Sequence, residues 1–281
     1  MEEAAKLRRM LGNRLGEARS MCNLISLLHE SGANEEALLL APEALEKNLA
    51  VNYRRGAAIV QSARGLAAFE LGQYEQAREM LEAARQEFAS IGEPDGYGLH
   101  TGSLGLVAMA EERFREAESL FGEALAVAET NQTGIYAAMH HQDFGLLYVI
   151  EERWEQAQPH LEQALTINKE NGDRLGALYD ETLLAIVRHA MGEVEPAGQM
   201  ADEIMRAFQE ECFAEGIVIR WLWQFHALLV RLGRVEEAKG VLIRAREEVQ
   251  SAEQKIQDET LRLSFLERVP HHKLILNFIS K

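Results

Sequence analysis

Residues 112–125 read ERFREAESLFGEAL, and residues 152–165 read ERWEQAQPHLEQAL. Laid over one another, both stretches begin Glu-Arg and place an aromatic residue next, an alanine three positions on, a large apolar residue four after that, and a second alanine at seven. The pattern returns from Gly32 (GANEEALLLAPEAL), Gly72 (GQYEQAREMLEAA), Gly192 (GEVEPAGQMADEI) and Gly233 (GRVEEAKGVLIRA). Its first alanine falls at Ala37, Ala77, Ala117, Ala157, Ala197 and Ala238, at intervals of 40, 40, 40, 40 and 41. Apolar residues at i, i+4 and i+7 draw one stripe along a helix. Twelve residues ahead of each alanine stands Ile25, Gly65, Gly105, Gly145, Ala185 or His226, inside a second helical segment. Small side chains there let two helices approach closely. Each unit therefore predicts a helix, a short turn and a second helix. A pair of this size cannot cover its own apolar faces, so neighbouring pairs must stack.

In the order small residue, aromatic, turn glycine, alanine, aromatic or leucine, alanine, the chain resembles the tetratricopeptide repeat across residues 14–250. That resemblance implies an all-α fold, a right-handed superhelical solenoid of antiparallel helix pairs. Two departures stand out. The period is 40 where the family's is about 34, and the closing proline is replaced by Leu49, Ala89, Glu129, Lys169, Gln209 and Gln250. Repeats this long resemble those in the C-terminal sensor arms of bacterial signal-transduction ATPases and transcriptional regulators, in kinesin light chains and in peptide-sensing quorum regulators. The expected organisation is one solenoid over 1–281, with residues 1–13 the remnant of a preceding repeat helix, 14–252 six repeats and 253–281 capping helices. Residues 253–268 read as one charged helix covering the last repeat, and Pro270 as the opening of a short final one. A start in mid-repeat suggests a piece of a longer polypeptide, and SFLERVPHHKLIL from Ser264 resembles the helix that closes such arms.

The 281 residues are 47% hydrophobic and 26% charged, a globular balance, and the net charge of −16 disfavours a nucleic-acid partner. Residues 61–170 carry 7 basic and 19 acidic side chains, so the acidity is concentrated in the middle repeats. Cys22 and Cys212 lie 190 positions apart, which fits neither a disulfide framework nor a metal cluster and suggests a reducing cytoplasm. No apolar run reaches the length of a membrane span.

Chemistry has few carriers. The chain holds no phosphate-binding glycine loop, no GxSxG, no HExxH and no CxxC, so the expectation is a non-enzymatic protein without cofactor or metal. His100 and His140 share one repeat position, with His141 beside them, but the matching position of the second repeat offers no ligand; structural histidines are the better reading. Acid pairs such as Glu111-Glu112 and Glu236-Glu237 recur at repeat turns and helix starts, where carboxylates favour the helix dipole. His226 replaces a small residue, which means either a buried, hydrogen-bonded ring or altered packing of the sixth repeat. His271 and His272 are expected in solvent.

The resemblance further implies that first helices line a concave, ligand-binding face. By register the lining is Ile59, Ser62, Leu66 and Phe69; Leu99, Gly102, Leu106 and Met109; Met139, Gln142, Leu146 and Val149; Tyr179, Thr182, Ile186 and His189. Flanking repeats add Arg19, Cys22, Ser26 and His29, then Arg220, Trp223, Ala227 and Val230. None of the sixteen middle positions is Lys or Arg, which argues against a clamp for an acidic peptide terminus. An apolar lining in acidic surroundings suits an amphipathic, basic protein or peptide segment. The same residues could equally be core between tightly coiled repeats. Two functions are compatible with this: the regulatory or sensor arm of a larger signalling or transcription-regulating protein, and a free-standing adaptor or peptide receptor.

Overall fold

The computed structural model describes residues 12–211 and 218–278. The expected remnant helix, apart from its last two positions, and Cys212 lie outside these. The described residues form fourteen α-helices and no strand. Six pairs come first: α1 (Arg14–Glu30) with α2 (Asn34–Ala50), α3 (Arg54–Glu70) with α4 (Tyr74–Ser90), α5 (Pro94–Ala110) with α6 (Phe114–Thr130), α7 (Gly134–Ile150) with α8 (Trp154–Asn171), α9 (Arg174–Ala190) with α10 (Val194–Glu210), and α11 (Ile219–Arg231) with α12 (Val235–Gln254). Two short helices follow, α13 (Glu259–Glu267) and α14 (Pro270–Asn277), the latter opened by the expected proline.

The 40-residue unit is two 20-residue halves. From α1 to α10 every helix has 17 residues except α8, which has 18, and turns of two or three residues join them. A left-handed residue sits in each turn from α1 to α10, at Gly32, Asn52, Gly72, Gly92, Glu112, Gln132, Glu152, Gly172 and Gly192, and again at Gly233 between α11 and α12. The amide after it reaches back to the carbonyl five residues earlier, as Gln73 does to Ala68 and Arg113 to Ala108, both at 2.8 Å. This closure caps the outgoing carbonyls. Two helices of 17 residues and two turns of three make up the period of 40.

The repeating alanines are the inner contacts of each pair: Ala37, Ala77, Ala117, Ala157 and Ala197 are fully buried, as are Leu81, Phe121 and Leu161 four positions on. The small residues of the first helices face them. A Cβ on Gly105 would stand 2.5 Å from Cε1 of Phe121, and one on Gly65 2.8 Å from Cγ of Leu81. In the sixth pair His226 is buried and its Nδ1 lies 3.0 Å from the carbonyl of Ala238, so the larger ring is accommodated by a hydrogen bond. Asn13 and Asp173 cap α1 and α9 identically, each accepting from the amide of a glycine three residues on, Gly16 or Gly176.

The described chain divides into two compact units. Unit 1 runs to Val127 and includes Glu253–Pro270; unit 2 is Ala128–Ala252 with the chain from His271. In unit 1, α1 to α5 pack each on the next, and first helices also meet across repeats, α1 on α3 and α3 on α5. Unit 2 repeats the scheme, with α7 on α8, α8 on α9, α9 on α10, and α9 against both α7 and α11.

The C-terminal expectation is corrected in extent and destination. The helix breaks at 255–258, and α13 packs in unit 1 on the turns of the first two repeats: Tyr74 donates its hydroxyl to the carbonyl of Arg268 at 3.1 Å. His272 is buried and His271 half-buried in unit 2, not in solvent.

Candidate functional site

The first helices carry the side chains that the sequence nominates. In unit 1, Ile59, Ser62, Leu66, Phe69, Leu99, Leu106 and Met109 are all half-buried, and Gly102 is buried. Leu66 and Phe69 lean on the core built by Ala68, Tyr74, Ala77 and Leu81 while keeping part of their surface free. In unit 2 the same register behaves differently. Met139, Gln142, His189 and Trp223 are half-buried, whereas Leu146, Val149, Tyr179, Thr182 and Ile186 are buried. Unit 1 thus has an accessible apolar stripe, and the stripe of unit 2 is largely interior.

Part of this lining is occupied with joining one repeat to the next. Ser62 lies 2.5 Å from Nε2 of His100, whose Nδ1 is 2.5 Å from the carbonyl of Gly96. That carbonyl can only accept, so Nδ1 carries the proton, and Nε2 accepts from the serine hydroxyl. Burial pushes the His100 pKa down, keeping the ring neutral, and Phe88 stacks on it with centroids 5.1 Å apart. The corresponding junction in unit 2 centres on Asp180. Gln142 Nε2 donates to one carboxyl oxygen and Asn168 Nδ2 to the other, both at 2.8 Å. Burial dominates over these two donors and raises the Asp180 pKa to about 7. One repeat on, the Trp221 indole donates to Thr182 Oγ1 at 3.0 Å, with Phe208 edge-on to the indole. His100, His140, Asp180 and Trp221 are register equivalents, and so are Phe88, Ala128, Asn168 and Phe208. Ala128 offers His140 neither donor nor ring. His140 is fully buried with neither ring nitrogen hydrogen-bonded, and its Nδ1 lies 3.5 Å from Oδ2 of Asp143.

A second histidine contact escaped the sequence reading. His160 occupies a position that is Leu40, Met80, Leu120, Met200 or Val241 in the other repeats. Its Nδ1 is 2.9 Å from Nδ1 of His141, and its ring stacks on Phe144 at 4.5 Å. Burial, then the neighbouring His141, lowers the His160 pKa to about 4. Both rings are neutral near pH 7, one donating to the other. Among the described residues no group of three or more His, Cys, Asp or Glu side chains is placed to hold a metal ion, and no helix is long and apolar enough to cross a membrane.

With this geometry in view, the comparisons with known proteins agree on the fold. The tetratricopeptide repeat family matches residues 56–130. BtubC (BKLC) from P. vanneervenii is 20% identical with a TM-score of 0.62, over 75% of this chain and 89% of that one. Aspartyl phosphate phosphatase F from Bacillus subtilis is 13% identical with a TM-score of 0.68, over 84% of this chain and 61% of the other. The Rap conjugation gene regulator of plasmid pLS20, solved in complex with a peptide, is 13% identical with a TM-score of 0.59, over 99% and 74%. No curated protein sequence matches. The fold is therefore a tetratricopeptide-type helical solenoid, with period 40 in place of 34.

Proposed function

We propose that this chain is a non-enzymatic scaffold that binds a protein or peptide segment along the first helices of unit 1. It acts as the regulatory or sensor arm of a larger signalling or transcription-regulating protein. The carrying observation is the half-buried stripe of Ile59, Leu66, Phe69, Leu99, Leu106 and Met109, apolar and without a cation. An amphipathic helix or extended peptide covers such a stripe with its own apolar face. The excess of acidic side chains over residues 61–170 favours a basic partner and speeds its approach. The peptide held by the pLS20 regulator supports peptide binding by a solenoid of this fold. The buried positions Leu146, Val149, Tyr179, Thr182 and Ile186 serve packing in unit 2.

The test is the double substitution Leu66→Glu with Leu106→Glu, checked for fold by circular dichroism and used as bait in a lysate of the native host. A prey captured by the parent chain and lost by the folded double variant supports the reading. Equal capture by the two refutes it. Leu146→Glu, at a buried position, serves as the control that unfolds.

A further inference from the structure

The last helix to pack on unit 1 is recognised at both of its ends. Just before α13 the amides of Gln257 and Asp258 donate to the two carboxyl oxygens of Glu35, at 2.5 and 2.9 Å. Asp258 caps the helix by accepting from the amide of Leu261 at 2.9 Å. After the helix, the guanidinium of Arg268 donates to both oxygens of Glu75 at 3.0 Å and lies 5.5 Å from the centroid of the Tyr74 ring. The Tyr74 hydroxyl takes the Arg268 carbonyl. A carboxylate at the positive end of a helix and a hydroxyl at its negative end are each the favourable partner. Between them the helix backbone comes down on Gly72, where a Cβ would stand 2.9 Å from the Ser264 carbonyl, and Ser264, Phe265 and Val269 are buried.

Glu35 and Glu75 are register equivalents, and the next position in the series is Arg115. The series goes on to Glu155, Glu195 and Glu236, but the register equivalents of Tyr74 are Asn34, Phe114, Trp154, Val194 and Val235, so two glutamates together with a tyrosine hydroxyl are offered only by the first two repeats. Retention of α13 rests on its end contacts and a few buried side chains, Phe265 the largest. The helix has nine residues, and its main ion pair joins side chains that are 42% and 72% exposed. Such a pair contributes at most about 1 kcal/mol. A segment held this way opens more readily than the solenoid unfolds.

We propose that the edge formed by Glu35, Gly72, Tyr74 and Glu75 is a docking site for a short amphipathic helix closed by an arginine. In this structure the chain's own α13 fills it as an internal competitor. A partner helix of the same chemistry displaces α13. This names a second site for the scaffold and the kind of helix it takes. Its probe is the chain's own sequence, so the outcome is independent of whether the stripe of Leu66 and Leu106 binds anything.

The experiment uses the full chain and a fluorescent synthetic peptide of residues 255–269, KIQDETLRLSFLERV, followed by anisotropy. Arg268→Ala in the protein weakens the internal competitor, so the peptide binds up to about fivefold more tightly than to the parent chain. Adding Glu75→Ala removes that gain, and a peptide with alanine in place of its own arginine binds the Arg268→Ala chain no more tightly than the unmodified peptide binds the parent. Hydrogen exchange at the amides of Gln257 and Asp258 in the unlabelled parent chain quickens when excess peptide is added. A peptide that fails to bind the Arg268→Ala chain, or binds it no more tightly than the parent, overturns the proposal. Binding that survives Glu75→Ala undiminished, or exchange at 257 and 258 unmoved by saturating peptide, does the same.

Discussion

Replacing Asp180 by asparagine tests how the unit 2 junction is built. The carboxyl is buried between two amide donors, from Gln142 and Asn168, and titrates at about 7 in the folded chain. An unfolded aspartate titrates near 3.9. Between those values the folded chain holds a proton that the unfolded chain has released. The associated stability is therefore complete at low pH and is lost as the pH rises to about 7. At about 1.4 kcal/mol per pH unit, the loss between pH 5.5 and 8 is about 2 kcal/mol. Asparagine carries no charge to desolvate. Its oxygen keeps the bond from Asn168, and its amide is satisfied when the Gln142 side chain turns to present oxygen. Urea unfolding, followed by tryptophan fluorescence near Trp221, gives the stability of both proteins across this range. The variant should gain about 2 kcal/mol on the parent between pH 5.5 and 8. A difference between the two proteins that stays constant within about 0.5 kcal/mol would show that Asp180 is not held protonated by burial.

Glu112 and Glu152 adopt φ of 59° and 56°, a conformation that costs a side chain with a Cβ about 1 kcal/mol, so Glu112→Gly and Glu152→Gly should each raise stability by roughly that amount in thermal melts. Gly105→Ala places a methyl against the buried ring of Phe121 and is expected to destabilise by about 1–3 kcal/mol in the same assay, with no loss if the two helices separate freely. Ser62→Ala leaves Nε2 of His100 without its donor in a buried place and should cost about 1–3 kcal/mol, which chemical unfolding measures.

The helical pairs were legible because packing repeats them: Ala77, Ala117 and Ala157 mark the same inner contact at a constant interval, and the glycines twelve residues earlier mark its other side. The half-unit of 20 residues was less legible, since only some of its left-handed positions are glycine; Glu112 and Glu152 occupy the same conformation without that sign. Exposure of the first-helix stripe could not be read at all. Leu106 and Leu146 are one register position in two repeats, yet one is half-buried and the other buried. Burial depends on what stacks above a residue, and periodicity does not record that. The junction contacts join residues 38 or 39 apart, such as Ser62 with His100 and Thr182 with Trp221, and the chemistry differs each time. A search for sameness passes over them. The docking of α13 joins residues 193 to 223 apart and leaves no periodic mark.

The dissimilarity of those junctions has a consequence for how such a chain can be rearranged. Backbone geometry alone would let any 40-residue cassette follow any other, because the turns recur at the same spacing. The side chains at the joints do not permit it. A repeat that ends in Asn168 and offers Gln142 is a lock cut for an aspartate, and a successor bringing the imidazole of His100 or the indole of Trp221 would meet the wrong donors. The repeats joined through Ser62, Gln142 and Thr182 thus carry an address for their neighbours, and versions of this chain shuffled at those joints should fold less well than the natural order even when every helix is preserved.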